Sequence, residues 1–429
     1  FKHVFSSLRS RNYRLYFSGQ CISLIGTWMQ QIAMSWLVYR LTGSVLLLGL
    51  VSFCAQIPTF ILSPMAGVIS DRIDRLKILK ITQACAMVES LILAVLVLTG
   101  AIATWHIIAL SIFVGLVNAF DTPARQSLVI DLVDRKEDLG NAIALNSAIF
   151  NGARLIGPSI AGILIAIVGE GICFLLNGLS YIAVLGALFA IRLNKSLNPT
   201  PKGKVKVVDE MKSGVKYAFG FMPIRTLLIL LAVVSFTGMP FIVLIPAFAK
   251  DVLGGDSHTL GFMMASVGAG ALVAALYLAA RKSIVGLGKV ISLACALFGV
   301  GLMVFSFLRI DLFVCFVLLF VGFGMIATVA SINTMLQSLV DDDKRGRVMG
   351  LYAMALSGIN PLGCLLAGAL GDVIGVPYVI LAGGAVCLIA AWRFERWRPL
   401  VRRMSRPIFV RKGIVKEIAI GIDAAKEIK

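Results

Sequence analysis

Runs of roughly twenty apolar residues recur along the whole chain, each long enough for a helix to cross about 30 Å of hydrocarbon. Within a bilayer core every backbone N–H and C=O must find a partner inside the protein, which leaves helices and closed barrels as the only spanning structures. Barrel strands alternate polar and apolar side chains, whereas a segment such as "LILAVLVLTGAIA" is apolar on all sides, so the spans are helices. Twelve are predicted, over 15–39, 45–69, 78–99, 103–122, 141–167, 171–191, 224–248, 258–280, 289–307, 311–333, 348–371 and 376–394. A composition 59% hydrophobic and 14% charged agrees with this; soluble domains hold roughly half and a quarter.

The formal net charge of +18 invites a nucleic-acid reading, but the placement of the charges argues against one. Basic residues cluster before the first span (Lys2, Arg9, Arg11, Arg14), after the second (Arg72, Arg75, Lys77, Lys80), after the sixth (Lys195 to Lys216) and after the twelfth (Arg393 to Lys412). The intervening loops hold Arg40, Lys250 and Arg309. Positive charge collects on the cytoplasmic side, so both termini are expected there, and no nucleic-acid partner is implied. The chain opens on Phe1, as a trimmed start would; no cleavable signal is visible, and the first span is expected to act as the insertion signal. All eight cysteines fall within spans without CxxC pairs or flanking histidines, so no metal or cofactor is expected.

Laid on itself at an offset of about 212, the chain brings Ser23 and Gly26 onto Ser235 and Gly238, and Leu48-Gly49 onto Leu260-Gly261; "QSLV" at 126–129 nearly meets "QSLV" at 337–340. The predicted organisation is an N-terminal six-helix bundle (1–192), a cytoplasmic linker with a surface helix from about 208 to 220 (193–220), a C-terminal six-helix bundle (221–394) and a basic cytoplasmic tail (395–429). Six spans per half make a parallel repeat, and two pseudo-symmetric bundles leave a midplane cavity that rocking could open to either side. This favours a transporter over an enzyme or scaffold, and a monomer contains everything such a device needs.

The loop "GVISDRIDRLK" at 67–77 is the most specific short string. It resembles the loop between helices 2 and 3 of the major facilitator superfamily, G-x-x-x-D-R-x-G-R-[RK]-x. Gly67, Asp71, Arg72 and Arg75 match, Asp74 replaces the usual glycine, and Lys77 supplies the last charge one place late. The resemblance covers the whole chain and implies that Asp71 faces the N-terminus of helix 11 when the transporter is outward-facing. It also implies that Arg72 pairs with an acid at the cytoplasmic end of helix 4, for which Asp121 is the candidate. At the repeat offset Asp71 falls on Ser283 and Asp121 on Asn333, which would make the latch one-sided.

Helix 5 carries "NGARLIGPSIAG" at 151–162. Proline lacks an N–H and displaces the carbonyl four residues earlier, so Pro158 frees the oxygen of Arg154 itself. Ser147, Asn151, Arg154, Pro158 and Ala161 share a narrow arc flanked by Gly157 and Gly162, a small, polar and kinked face. An arginine near the midplane costs at least about 2.5 kcal/mol on insertion scales and should face protein or water. "GPSIAG" resembles the superfamily's antiporter motif, G-P-x-x-G-G, which implies export coupled to proton influx. The repeat partner of Pro158 is Pro361, where the residue four earlier is neutral Ser357; the charge is thus specific to one half. Glu89 in helix 3 is the candidate partner for Arg154 and the candidate proton-coupling carboxylate, its alternatives being a cavity-facing or snorkelling acid.

Thr27, Gln30 and Gln31 in helix 1 are costly in lipid and become cavity candidates, together with Asn118, Asn151 and Asn360. The asparagines could serve equally as interhelical glue. With "RNYRLYFSGQCISLIGTWMQQIAMSWLVYRLTGS" and "NAFDTPARQSLV", the helix 5 stretch resembles the branch holding enterobactin-type siderophore exporters and macrolide efflux pumps. That implies a bacterial inner-membrane exporter of medium-sized amphipathic molecules. A lipid or lysophospholipid carrier is the alternative within transport. The alternative outside it is a receptor or scaffold using the basic tail, which otherwise suits the anionic headgroups of membrane lipids. No phosphate loop or grouped catalytic residues speak for an enzyme.

Overall fold

Hydropathy and length lead directly to the architecture. The computed structural model describes residues 6–70, 73–192, 215–281, 283–341 and 344–412, and twelve of its helices are long and apolar enough to span a membrane. They are α1 (Arg11–Thr42), α2 (Val45–Ser70), α3 (Arg75–Leu98), α4 (Thr104–Asp131), α5 (Leu139–Val168), α6 (Glu170–Ala190), α7 (Met222–Val252), α8 (Ser257–Ala280), α9 (Leu287–Phe307), α10 (Asp311–Leu339), α11 (Arg345–Ile374) and α12 (Val376–Arg411). With an even number of spans, both chain ends lie on one face, here called the terminal face; the other is the far face. Far-face turns are tight. Gly43, between α1 and α2, has φ +60°, and Gly375, between α11 and α12, has φ +90°, a region in which a side chain would be strained.

Each predicted span coincides with a helix, and the largest differences are overruns at the terminal face. α4 continues to Asp131 through an internal Pro123, α10 continues to Leu339, and α12 continues to Arg411. Polar residues outside the hydrocarbon end a hydropathy run without ending a helix. The boundary drawn at 394 therefore falls inside α12, and the expected tail begins as helix. Of the expected surface helix, residues 215–220 are described, and they are helical.

Within the first half the main packing partners are α1 with α6, α3 with α6, and α2 with α4; in the second they are α9 with α12, α8 with α10, and α9 with α10. The halves meet along two seams, α5 against α8 and α2 against α11. Lipid offers no hydrophobic drive for helix association, so close contact depends on small residues. A Cβ on Gly162 would stand 2.9 Å from the Cα of Gly261, and one on Gly49 would stand 2.4 Å from the carbonyl oxygen of Cys364. Both seams favour the far side. α5 contributes Arg154 to Gly162, and α2 contributes Val45 to Phe60, while Ile61 and Met65 of α2 and Ile143 and Phe150 of α5 are exposed nearer the terminal face. The halves are joined at the far face and part toward the terminal one.

α7 and α11 are not regular. Single π-turns interrupt α7 at Val234–Gly238 and Phe248–Val252, and α11 at Met354–Gly358, just before Pro361. These are recognised sources of bending in long helices.

Gly162→Val should force α5 and α8 apart, costing about 1–3 kcal/mol of overpacking. The expected result is a clearly lower thermal unfolding midpoint for the purified protein. Gly140→Ala, where a Cβ would meet nothing within 4 Å, should leave the midpoint unchanged.

Candidate functional site

Polar residues at 20, 23, 27 and 30 recur along one face of α1. The Gln30 amide donates to Glu89 Oε2 at 2.9 Å, and its carbonyl accepts from Ser90 Oγ and Asn177 Nδ2, both at 2.6 Å. One side chain thus joins α1, α3 and α6. Glu89, Ser90 and Asn177 are buried, and Ser90 Oγ also donates to the Phe174 carbonyl. The two glutamines ranked together in the sequence separate here: Gln30 holds the bundle together and Gln31 is exposed. Thr27 is exposed as well, its hydroxyl donating to the Ser23 carbonyl at 2.9 Å.

Arg154 is half-buried on α5, its guanidinium 5.5 Å from the Trp28 ring centroid, and Phe150 meets the same indole edge-on. Among the described residues it forms no ion pair. The expected partnership with Glu89 is not formed, and the packing gives the reason. α3 packs on α4 and α6, whereas α5 packs on α1 and α8, so Glu89 and Arg154 lie on opposite sides of α1. The carbonyl freed by Pro158 lies against α8, where a Cβ on Gly268 would be 3.0 Å from the Arg154 oxygen. Gly157 abuts Trp28 and Gly162 accepts a hydrogen bond from Ser257 Oγ at 3.2 Å.

The remaining cavity candidates are scattered. Asn118 is exposed on α4; Asn151 is half-buried and donates to the Ser147 carbonyl at 2.8 Å; Asn360 accepts from the Cys364 thiol at 3.2 Å.

At the terminal face Gly67 lies in α2, while Asp71 and Arg72 fall outside the described residues. Asp74, which departs from the family's glycine, is the N-cap of α3 and accepts from the Leu76 amide at 2.9 Å. Arg75 pairs with Asp131 at 2.7 Å, tying the start of α3 to the end of α4. Asp121 lies about ten residues inside α4 and not at its end. Its carboxylate accepts from Thr82 at 2.9 Å, Gln83 at 2.7 Å and Arg125, which also donates to Gln20 at 2.7 Å. Among the described residues Arg125 is its ion-pair partner; the pairing expected of Arg72 falls outside them. The i, i+4 spacing of Asp121 and Arg125 was the available signal, masked because hydropathy ended the span too early.

The far face holds groups the sequence did not single out. Asp372, near the end of α11, accepts from the Val45 amide at 2.7 Å, the Leu46 amide at 3.0 Å and Ser44 Oγ at 2.9 Å. A carboxylate of one half thereby caps a helix of the other, whose first N–H groups have no partner within the helix. Tyr39 of α1 donates to Asp251 of α7, with Lys250 near its ring. Arg40 and Glu170 pair at 2.7 Å within the first half.

Gln30→Leu should strand the Glu89 carboxyl and the Asn177 amide N–H, each orphaned group costing about 1–3 kcal/mol, while Ser90 keeps the Phe174 carbonyl. Thermal unfolding in detergent should show a marked loss of stability, and Gln31→Leu should show none.

Comparison with known proteins is consistent across the chain. The profile of the family described as transmembrane secretion effector matches residues 2–404. The staphyloferrin A transporter of Staphylococcus aureus (strain NCTC 8325 / PS 47) is 29% identical over 89% of this chain and 95% of its own. The multidrug efflux pump Tap of Mycolicibacterium fortuitum is 26% identical over 82% of this chain and 87% of its own. Macrolide efflux protein A of Streptococcus pyogenes is 24% identical over 89% and 95%. Among solved structures, an inward-facing bacterial homologue of the iron transporter ferroportin aligns with a TM-score of 0.70 at 18% identity, covering 90% of this chain and 98% of that one. An inward-facing, unoccupied bacterial homologue of the lysosomal transporter Spinster aligns with a TM-score of 0.72 at 13% identity, covering 93% and 98%.

Proposed function

The chain belongs to the transmembrane secretion effector family, a branch of the major facilitator superfamily of transporters, and from that premise we propose that it is an alternating-access exporter of medium-sized amphipathic molecules. Siderophores and drug-like compounds are the substrate class, in line with a staphyloferrin A transporter, a multidrug efflux pump and a macrolide efflux protein among its relatives. Proton antiport drives it, from a bacterial plasma membrane with the terminal face in the cytoplasm. One chain contains both halves and works as a monomer.

The carrying observation is the asymmetry of the two faces. Asp372 of α11 caps α2 and Tyr39 of α1 meets Asp251 of α7 at the far face, while the terminal ends part. With the terminal face cytoplasmic, this is the inward-open member of an alternating pair. Asp71, the next residue in the sequence after α2, serves the opposite state by facing the start of α11. The two antiparallel helices α2 and α11 then carry one carboxylate latch at each end, used in turn.

Glu89 is the coupling carboxylate. It is buried, held by the Gln30 amide and without a cation partner among the described residues, so a change in its protonation acts on the joint of α1, α3 and α6. Arg154, Trp28 and Thr27 form the polar-aromatic wall of the substrate path, with Asn151 one turn away on α5.

Uptake into proteoliposomes under an imposed pH gradient, screening siderophores, macrolides and lysolipids, tests this reading. Gradient-driven movement of a siderophore or macrolide is expected; transport of lysolipid alone would replace the substrate class, and gradient-independent movement of every compound would remove antiport. Glu89→Gln should cut gradient-driven transport at least about tenfold while substrate exchange persists, separating coupling from binding.

The far-face latch has its own test. In a variant retaining Cys364 as its sole cysteine, a membrane-impermeant thiol reagent added from the far side should label that buried residue several times faster after Asp372→Asn. Unchanged labelling would mean that the contact does not hold the seam closed.

A further inference from the structure

α12 is longer than a membrane requires. Its 36 residues reach about 54 Å at 1.5 Å per residue, against about 30 Å of hydrocarbon. The excess at the terminal face has two chemically different sides.

One side docks on the protein. Ala391, Phe394, Val401 and Ser405 are buried, and Arg411 pairs with Asp341, just beyond the end of α10, at 2.7 Å. Lys412 Nζ donates to the carbonyls of Ser338 and Val340 at 3.2 and 2.6 Å, capping the end of α10.

The other side faces away. Trp392 and Trp397 are 55% and 39% exposed, and Arg393, Arg396, Arg402 and Arg403 are exposed with no carboxylate partner among the described residues. Arg396 stacks on Trp392 with its guanidinium carbon 3.8 Å from the ring centroid. Positions 392, 396 and 403 form one stripe, and Arg393 and Trp397 lie beside it. From 392 to 397 the helix climbs about 7.5 Å, the depth of one headgroup layer. Arginines without a carboxylate partner among the described residues, set between amphipathic indoles at the point where a span leaves hydrocarbon, match an oxyanion that can accept two-pronged guanidinium contacts and is itself anchored in the bilayer.

We propose that the Trp392, Arg393, Arg396 and Trp397 face of α12 is a binding surface for the phosphate headgroups of anionic phospholipid in the leaflet at the terminal face. Arg402 and Arg403, one to two turns further out, add long-range attraction to the same acidic surface. The site is independent of the substrate path and of any assignment of transport direction.

Native mass spectrometry of the purified full-length protein, titrated with phosphatidylglycerol or phosphatidylcholine, reads the proposal directly. Phosphatidylglycerol is expected to bind at least about tenfold tighter, and R393Q/R396Q should remove most of that preference, at about fivefold per arginine. R393K/R396K should keep much of it, and thermal unfolding should show both variants folded. In bilayers, brominated phosphatidylglycerol should quench wild-type tryptophan emission more than brominated phosphatidylcholine, and W392F/W397F should remove the difference. Equal affinity for the two lipids would reduce the face to an ordinary aromatic belt, and an unaltered preference in R393Q/R396Q would place the lipid elsewhere. Displacement of phosphatidylglycerol by millimolar inorganic phosphate would indicate a plain anion site, and displacement by polyglutamate an acidic protein partner; either overturns the assignment.

Discussion

Two helices in hydrocarbon gain nothing from water by coming together, so every contact in this molecule rests on backbone proximity or on polar groups that lipid cannot satisfy. The structure uses the two means in different places. Glycine brings the halves together along their seams, at Gly49 against Cys364 and Gly162 against Gly261. Hydrogen-bonded side chains hold the first half together, through Gln30 among α1, α3 and α6, and through Asp121 with Arg125 and α3. Dispersion contacts between backbones are individually small and can be re-formed elsewhere. A buried network with several satisfied partners is much costlier to break.

That division is what the alternating access proposed above would require of the two halves. Within the first half, the multi-partner polar networks join α1, α3, α4 and α6, while α2 and α5, which form the cross-half seams, are joined to α11 and α8 chiefly through small residues. The second half achieves its curvature differently, by π-turns in α7 and α11, so the repeat preserves topology without preserving how its helices bend.

What the sequence made legible follows the strength of each physical signal. Span number and position were clear because hydropathy over twenty residues averages out local accidents, and the coupling of Pro158 to Arg154 was readable because both effects act within one turn. Helix ends were less clear: α4 passes through Pro123 and a run of polar residues that hydropathy reads as loop, and this placed Asp121 at an end it does not occupy. Side-chain partners depended on three-dimensional order. Nothing in the chain alone says that α1 stands between α3 and α5, so Glu89 seemed available to Arg154, and Gln30 could not be told from Gln31. Asp372 is an acid near a span end, but two of its three partners are main-chain amides, which leave no trace in residue identity.

That last point has an evolutionary side. Two of the three donors that Asp372 holds belong to the backbone at Val45 and Leu46, so sequence drift at those positions cannot erase them unless it introduces proline. The contact is therefore inherited asymmetrically: one partner is guaranteed by the existence of a helix, and the other is a single side chain. Homologues can retune how firmly the far side closes by changing residue 372 alone, with no compensating substitution on the facing helix. Covariation between the two positions would be silent at one of the most consequential contacts between the halves.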